Sequence, residues 1–196
     1  MKKEHLLADL KTQGFSDNII RAFESVRRED FVLPENIAYA YYDEPLPIGK
    51  YSTISQPSTI AFMLNLMKLG EGHRVLEIGS GCGYVLALMS ELTKQSEIFG
   101  LEIDHEVCSS AITRMSGYEN VHIYCMDGKN GLPEHAPFDR ILISAACQGS
   151  PRYLLHQLKG NGIIVASVLD SVIRMIRSDN VFKEEVYPGF RFVPLI

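Results

Sequence analysis

The sequence predicts an α/β fold, a doubly wound and mostly parallel sheet with N-terminal helices. Three observations lead there. Apolar runs of strand length alternate with helix-period segments from Val75 onward. The first run, Val75–Ile78, leads straight into Gly79, Gly81 and Gly83, three glycines at alternate positions. The second run, Ile98–Asp104, carries a carboxylate, Glu102, towards its C-terminal tip. All 196 residues are expected in one domain, with helices and a long loop in 1–70 and the sheet in 71–196.

Residues 4–13 place Leu6, Leu7 and Leu10 on one helix face, and Gly14 ends that segment. Ser16 is a good N-cap for a second helix with Ile19, Ile20, Phe23 and Val26 on its face. The run Arg27-Arg28-Glu29-Asp30 reads as a solvated helix end. From Ala38 to Pro57 there is little periodicity, with Tyr39, Tyr41, Tyr42, Tyr51 and several prolines. A stretch of that length without regular structure in a compact domain is usually functional. Gln56-Pro57 opens a third helix, with Ile60, Met63, Leu64 and Met67 as its stripe and Gly70 as its stop. Beyond the glycines, Val85, Leu88, Met89 and Leu92 keep helix spacing. Cys108, Ala111, Ile112 and Met115 mark another helix. Val121–Cys125, Asp139–Ala145 and Ile163–Val168 read as strands. Between the last two, Ser150 and Pro151 start a helix bearing Leu154, Leu155 and Leu158, which Gly160 and Gly162 end. Val172–Ile176, Val181–Val186 and Arg191–Leu195 read as closing strands.

Composition is that of an ordinary globular chain, 46 % hydrophobic and 22 % charged. A net charge of −5, from 24 acids against 19 bases, disfavours a nucleic-acid surface. No apolar run reaches membrane-span length, and Asp9 and Lys11 interrupt any signal-like core near the start. Cys82, Cys108, Cys125 and Cys147 are scattered without a C-x-x-C pair, which predicts reduced cysteines and a cytoplasmic protein without disulfide or zinc. A monomer is expected.

The glycine turn is the chemical centre. Glycine lets the backbone turn tightly and come close to a ligand, and a helix N-terminus beyond it leaves N–H groups free. A carboxylate at the tip of the next strand suits a ribose diol. The bland alternative is a purely structural tight turn; Glu102 in the right place favours a nucleotide-type cofactor. The spacing G-x-G-x-G departs from the dinucleotide fingerprint G-x-G-x-x-G, which argues against a nicotinamide-dependent dehydrogenase.

Glu77-Ile78-Gly79-Ser80-Gly81-Cys82-Gly83 resembles motif I of the S-adenosylmethionine-dependent methyltransferases. Other stretches narrow the resemblance to one family. Tyr41-Tyr42-Asp43-Glu44-Pro45-Leu46-Pro47-Ile48-Gly49, then Thr53-Ile54-Ser55-Gln56-Pro57, is similar to the substrate loop of protein-L-isoaspartate O-methyltransferases. Asp127-Gly128 with 131–139, Ser144-Ala145-Ala146 and Arg191-Phe192-Val193-Pro194-Leu195 also match, so the resemblance spans nearly the whole chain. It implies a Rossmann-like methyltransferase sheet and S-adenosyl-L-methionine as cofactor. It implies methylation of the free α-carboxyl of isoaspartyl residues in aged proteins or peptides, after which the ester collapses to a succinimide that hydrolyses partly to aspartate. By the same resemblance Ser55 is the active-site serine. Glu77, Gly79, Ser80, Gly81 and Gly83 form the cofactor turn, Glu102 binds the ribose, and Asp127 and Gly128 reach the adenine. Pro47, Ile48, Gly49, Thr53, Ile54, Val193 and Leu195 fall on the substrate side. The chain departs from the family pattern at Lys50-Tyr51-Ser52, Met126, Cys147-Gln148 and Leu169-Asp170-Ser171. All but Met126 are on the substrate side, which keeps open a non-catalytic or divergent paralogue acting on a dedicated peptide or other acceptor.

The residues themselves fit a carboxylate acceptor. With a pKa near about 4 it is already ionised at neutral pH and needs no general base. The loop offers no histidine and no acid beyond Asp43 and Glu44, which read as solvated or structural; its prominent polar group is the neutral donor Ser55 beside a helix start that suits an anion. The bland readings are Ser55 as a helix N-cap, Asp127 as an Asx-turn former, Cys82 as a packed turn residue and His135 as an exposed loop residue. His73, His105, His122 and His156 show no ligand spacing, and no metal is expected.

Overall fold

The structure, a computed structural model, describes residues 1–178 and 181–190. In chain order the elements are α1 (Lys3–Thr12), α2 (Asp17–Ser25), β1 (Leu46–Pro47), β2 (Thr53–Ile54), α3 (Pro57–Met67), β3 (Arg74–Ile78), α4 (Tyr84–Leu92), β4 (Glu97–Glu102), α5 (His105–Arg114), β5 (Val121–Cys125), β6 (Phe138–Cys147), β7 (Leu158–Val168), β8 (Ser171–Ser178) and β9 (Val181–Pro188). Single 3-10 turns occupy Arg28–Phe31, Pro34–Tyr39, Pro133–His135 and Arg152–Gln157.

Strands β3 to β9 form one sheet in the order β5-β4-β3-β6-β7-β8-β9. Pairing is parallel from β5 across to β7, then antiparallel for β8 and β9. Side chains alternate across the pleat, so each strand feeds two cores. Val75, Ile98, Leu142 and Val165 join residues of all five helices on one face. Leu76, Phe99, Ile141 and Ile164 point the other way and meet Leu132, Leu154 and Leu158. The cover on that second face comes from loops and 3-10 turns.

That thinner cover is a departure from expectation. The predicted helix after Ser150 is only the 3-10 turn Arg152–Gln157, and the strand begins at Leu158, so Gly160 and Gly162 lie inside β7. Leu154 and Leu158 are both buried and produce the apolar spacing of a helix, but Gly162 has room only for hydrogen: a Cβ there would meet Leu158 Cγ at 2.4 Å. Ser150 Oγ donates to Glu184 Oε2 at 3.0 Å instead of capping a helix. Helix α3 ends at Met67 with Lys68 in the left-handed region (φ 47°), ahead of Gly70. The closing strands Val172–Ile176 and Val181–Val186 lengthen to β8 and β9, while Arg191–Leu195 lies outside the described residues.

The expectation of four reduced cysteines fails for one pair. Cys108 on α5 and Cys125 at the end of β5 are joined by a disulfide, with Cα atoms 5.6 Å apart. Their separation of 17 residues conceals this, because α5 turns back to run beside β5. Cys82 and Cys147 are free and buried.

Candidate active site

The sheet order reverses between β3 and β6, and in open α/β sheets the crevice beyond the strand ends at such a point takes the ligand. A cleft of about 100 Å³ lies there, walled by the ends of β3, β4 and β6, the loop after β5, and the segment 48–63. Of the predicted site residues, Ile48, Thr53, Ile54, Ser55, Glu77, Gly79, Ser80, Gly81, Glu102, Asp127 and Gly128 line it. Pro47, Gly49 and Gly83 do not line it. Pro47 is an exposed β1 residue paired with Thr53. Gly49 abuts α5, where a Cβ would meet Val107 Cγ2 at 2.8 Å. Gly83 is the N-cap of α4 and packs on Met115. Val193 and Leu195 lie outside the described residues.

Gly79 (φ 78°) and Gly81 (φ 54°) take left-handed conformations that the turn requires. The N–H groups of the turn itself, ahead of α4, are engaged within the fold. Gly79 N and Ser80 N donate to Leu101 O at 2.9 and 3.0 Å, and Gly81 N donates to Glu102 Oε2 at 2.8 Å. Strand β4 thus ties down the turn of β3. Glu102 Oε1 accepts from Asp104 N at 3.0 Å. A carboxylate has about four lone-pair sites, so each oxygen of this buried, doubly anchored group keeps capacity for a hydroxyl.

Glu77 is fully buried. Its Oε1 accepts from Ser144 Oγ at 2.6 Å, and its Oε2 has no hydrogen-bond partner among the described residues. Burial pushes its pKa up to about 8, partly opposed by the Ser144 bond and reinforced by the nearby Glu102 charge. A buried carboxyl oxygen without a donor on the wall of a cleft is a site for a ligand N–H. Ser80 Oγ is also buried without a partner.

Asp127 is exposed, and its Oδ1 accepts from Lys129 N at 2.9 Å, which is the Asx turn of the bland reading. The same turn sets Asp127 at the cleft rim. A Cβ on Gly128 would strike Ile78 Cγ2 at 2.6 Å, so this loop can sit against β3 only as glycine.

On the other wall the irregular segment is more organised than its sequence suggested. β1 and β2 form a hairpin closed by Ile48 N donating to Ser52 O at 2.9 Å, with Lys50, Tyr51 and Ser52 as its turn. Ser55 is not an N-cap. That position is Gln56, and the first turn of α3 is capped from a distance by Asp43, whose Oδ1 accepts from Ser58 N at 2.8 Å. Ser55 Oγ therefore has no capping role, and its residue lines the cleft.

The charged run at 27–30 is the clearest correction. Arg28 is 0 % exposed, where the sequence suggested a solvated end. Its Nη1 donates to Ser55 O at 2.8 Å and its Nη2 to Glu44 O at 3.3 Å, with the guanidinium 5.4 Å from the Tyr84 ring centroid. Burial lowers its pKa. Its three charged neighbours hid it, since only contacts distant in sequence distinguish Arg28 from Arg27. Ser144 was missed as a site residue for a like reason: its partner Glu77 is 67 positions away. Cys82 is packed, and burial pushes its thiol up to about 11. His135 is half-buried, its ring 4.6 Å from that of Phe99, with Nε2 3.1 Å from Tyr124 Oη. Among the described residues, no three His, Cys, Asp or Glu side chains gather as a metal site, and no helix is long and apolar enough to cross a membrane.

The family model described as "Protein-L-isoaspartate(D-aspartate) O-methyltransferase (PCMT)" matches residues 1–196. A protein-L-isoaspartate O-methyltransferase of Fervidobacterium nodosum is 39 % identical, over 97 % of this chain and 99 % of its own. Protein-L-isoaspartate O-methyltransferase 2 of Archaeoglobus fulgidus is 38 % identical, over 99 % and 92 %. A solved protein-L-isoaspartate O-methyltransferase superposes with a TM-score of 0.90 at 31 % identity, over 98 % of this chain; this chain spans 65 % of that one. The fold is also that of a Plasmodium falciparum structure solved with S-adenosyl-L-homocysteine, TM-score 0.85 at 22 % identity over 100 % and 99 % of the two chains. With its whole length matched and its sheet shared, this chain belongs to the protein-L-isoaspartate (D-aspartate) O-methyltransferase family.

Proposed function

We propose that this chain, acting as a single-domain monomer, uses S-adenosyl-L-methionine to methylate the free carboxyl of isoaspartyl residues in damaged proteins or peptides. The observation that carries the reading is one cleft with two unlike walls. One wall holds Glu77, Glu102 and Asp127 at the ends of the sheet; the other holds Ser55 beside the 46–54 hairpin.

The residues fit the cofactor. Glu77 Oε2 is buried without a partner among the described residues, and an amino-acid ammonium placed against it would favour the ionised, accepting carboxylate over the protonated form that burial alone favours. Glu102 has spare lone pairs for a diol. Asp127 at the rim offers an acceptor for an adenine amino group. When bound, the cofactor supplies an electrophilic methyl on sulfur, and the protein's part is orientation and exclusion of water. Ser55 is the neutral donor that would hold the acceptor carboxylate, which needs no base. The departures at Lys50-Tyr51-Ser52 form the hairpin turn at the cleft, where they bear on which peptide is accepted. A cytoplasmic setting rested on unpaired thiols and loses that support with the Cys108–Cys125 bond.

The test is methyl transfer to a protein aged at neutral pH. Label recovered as methanol after mild alkali supports a carboxyl ester. Label that survives alkali, on lysine, arginine or nucleic acid, contradicts it.

A further inference from the structure

The 3-10 turn Arg28–Phe31 has a task that the cleft residues do not reveal. It grips the acceptor-side segment at three points. Arg28 Nη1 and Nη2 hold the carbonyls of Ser55 and Glu44, and Tyr41 Oη donates to the Glu29 carboxylate. Ser55 O and Glu44 O bracket the β1–β2 hairpin, so one guanidinium clamps both ends of the loop that forms the acceptor wall.

The placement is costly, which makes it informative. Arg28 is fully buried, forms no ion pair among the described residues, and leaves Nε without a partner. A buried cation is normally paired. Here only its two Nη atoms are engaged, by two carbonyls, and its plane lies over the face of Tyr84, itself a cleft residue. A planar fork can serve two carbonyls in one plane, whereas the ammonium of lysine is a point donor. Core packing alone would be met by an apolar side chain of similar size.

We propose that Arg28 is a positioning residue for the methyl acceptor: by clamping Ser55 and Glu44 it fixes the Ser55 hydroxyl relative to the cofactor side of the cleft. This rests on the function proposed above.

The test uses the full chain with Arg28→Lys and Arg28→Gln. Hydrogen exchange in residues 44–56 should quicken at least fivefold in both variants, with residues 97–103 of the cofactor wall unchanged. Affinity for S-adenosylhomocysteine should stay within about twofold. With an isoaspartyl peptide, kcat/KM should fall at least tenfold. In a Ser55→Ala background, Arg28→Lys should cost less than about twofold more, because the effect passes through Ser55. Unchanged exchange in 44–56 would overturn the proposal, as would full additivity with Ser55→Ala. Loss of cooperative melting in both variants would make Arg28 a folding residue and would also overturn it. A parent that does not methylate the peptide sinks the function reading, and the exchange measurement then decides the role of Arg28 by itself.

Discussion

Ser144 on β6 donates to Glu77 on β3 at 2.6 Å, and this is the one hydrogen bond made by the Glu77 carboxyl among the described residues. With its pKa near 8 against about 4.5 in the unfolded chain, Glu77 keeps a proton through that window that the unfolded chain releases. The sign follows from linkage: its contribution is complete below about pH 4.5 and is lost as pH rises through about 8. At about 1.36 kcal/mol per unit the effect is on the order of a few kcal/mol. Urea unfolding from pH 5 to 8.5 should therefore give a flatter stability curve for Glu77→Gln than for the parent. His73, whose pKa burial lowers, acts with the opposite sign but equally in both proteins. Parallel curves would place the Glu77 titration elsewhere.

Glu102 has two tasks, closing the glycine turn through Gly81 N and offering acceptors to the cleft. Glu102→Ala should weaken S-adenosylhomocysteine binding by tenfold or more, since a hydrogen bond to a charged group is worth about 1.5–3 kcal/mol. NAD should not bind the parent. Calorimetric titration checks both, and unchanged affinity in the variant would mean that another acid holds the ribose.

Asp43, not Ser55, caps α3, so the acceptor role proposed for Ser55 can be tested apart from capping. Because Asp43 caps α3, Asp43→Ala should cost about 1 kcal/mol in stability, while Ser55→Ala should leave melting nearly unchanged. Turnover should respond in the reverse sense, falling roughly 10- to 100-fold in Ser55→Ala for a charge-assisted bond of about 1.5–3 kcal/mol. Ser55→Asp should fold, bind S-adenosylhomocysteine and lose nearly all transfer, because it sets a negative charge beside a negative acceptor. Full activity in Ser55→Asp would remove Ser55 from the acceptor site.

What was legible in the sequence was what short-range pattern encodes. Val75–Ile78, the glycines, Glu102 and Pro57 at the start of α3 lie within a strand, a turn or a helix period of the features that identify them. The Arg28 clamp, the Glu77–Ser144 bond and the Asp43 cap join residues 27, 67 and 15 positions apart, and periodicity carries no trace of them. The engaged N–H groups of the turn escaped notice because β4 supplies their acceptors. The Leu154–Leu158 spacing misled because two buried leucines four apart serve a 3-10 turn followed by a strand as well as a helix.

The Cys108–Cys125 bond ties α5 to the end of β5 and closes a loop of 17 positions. On the chain-entropy account a loop of that size is worth about 3 kcal/mol. Cys108→Ser should lower the melting temperature relative to the oxidised parent, and reduction of the parent should give the same loss. Equal melting with and without reductant would mean that the bond does not stabilise the folded chain.

Ser55 and a hairpin wall face Glu77 and Glu102 across one cleft, an arrangement suited to an isoaspartyl carboxyl as the acceptor. The most direct test is a pair of synthetic peptides identical except for one residue, aspartyl in one and isoaspartyl in the other. Both are incubated with the enzyme and labelled S-adenosylmethionine, and methanol released by alkali is counted. Methanol should be released from the isoaspartyl peptide, with little or none from its aspartyl twin. Equal methylation of the two, or methylation of neither by a protein that binds S-adenosylhomocysteine, would contradict it.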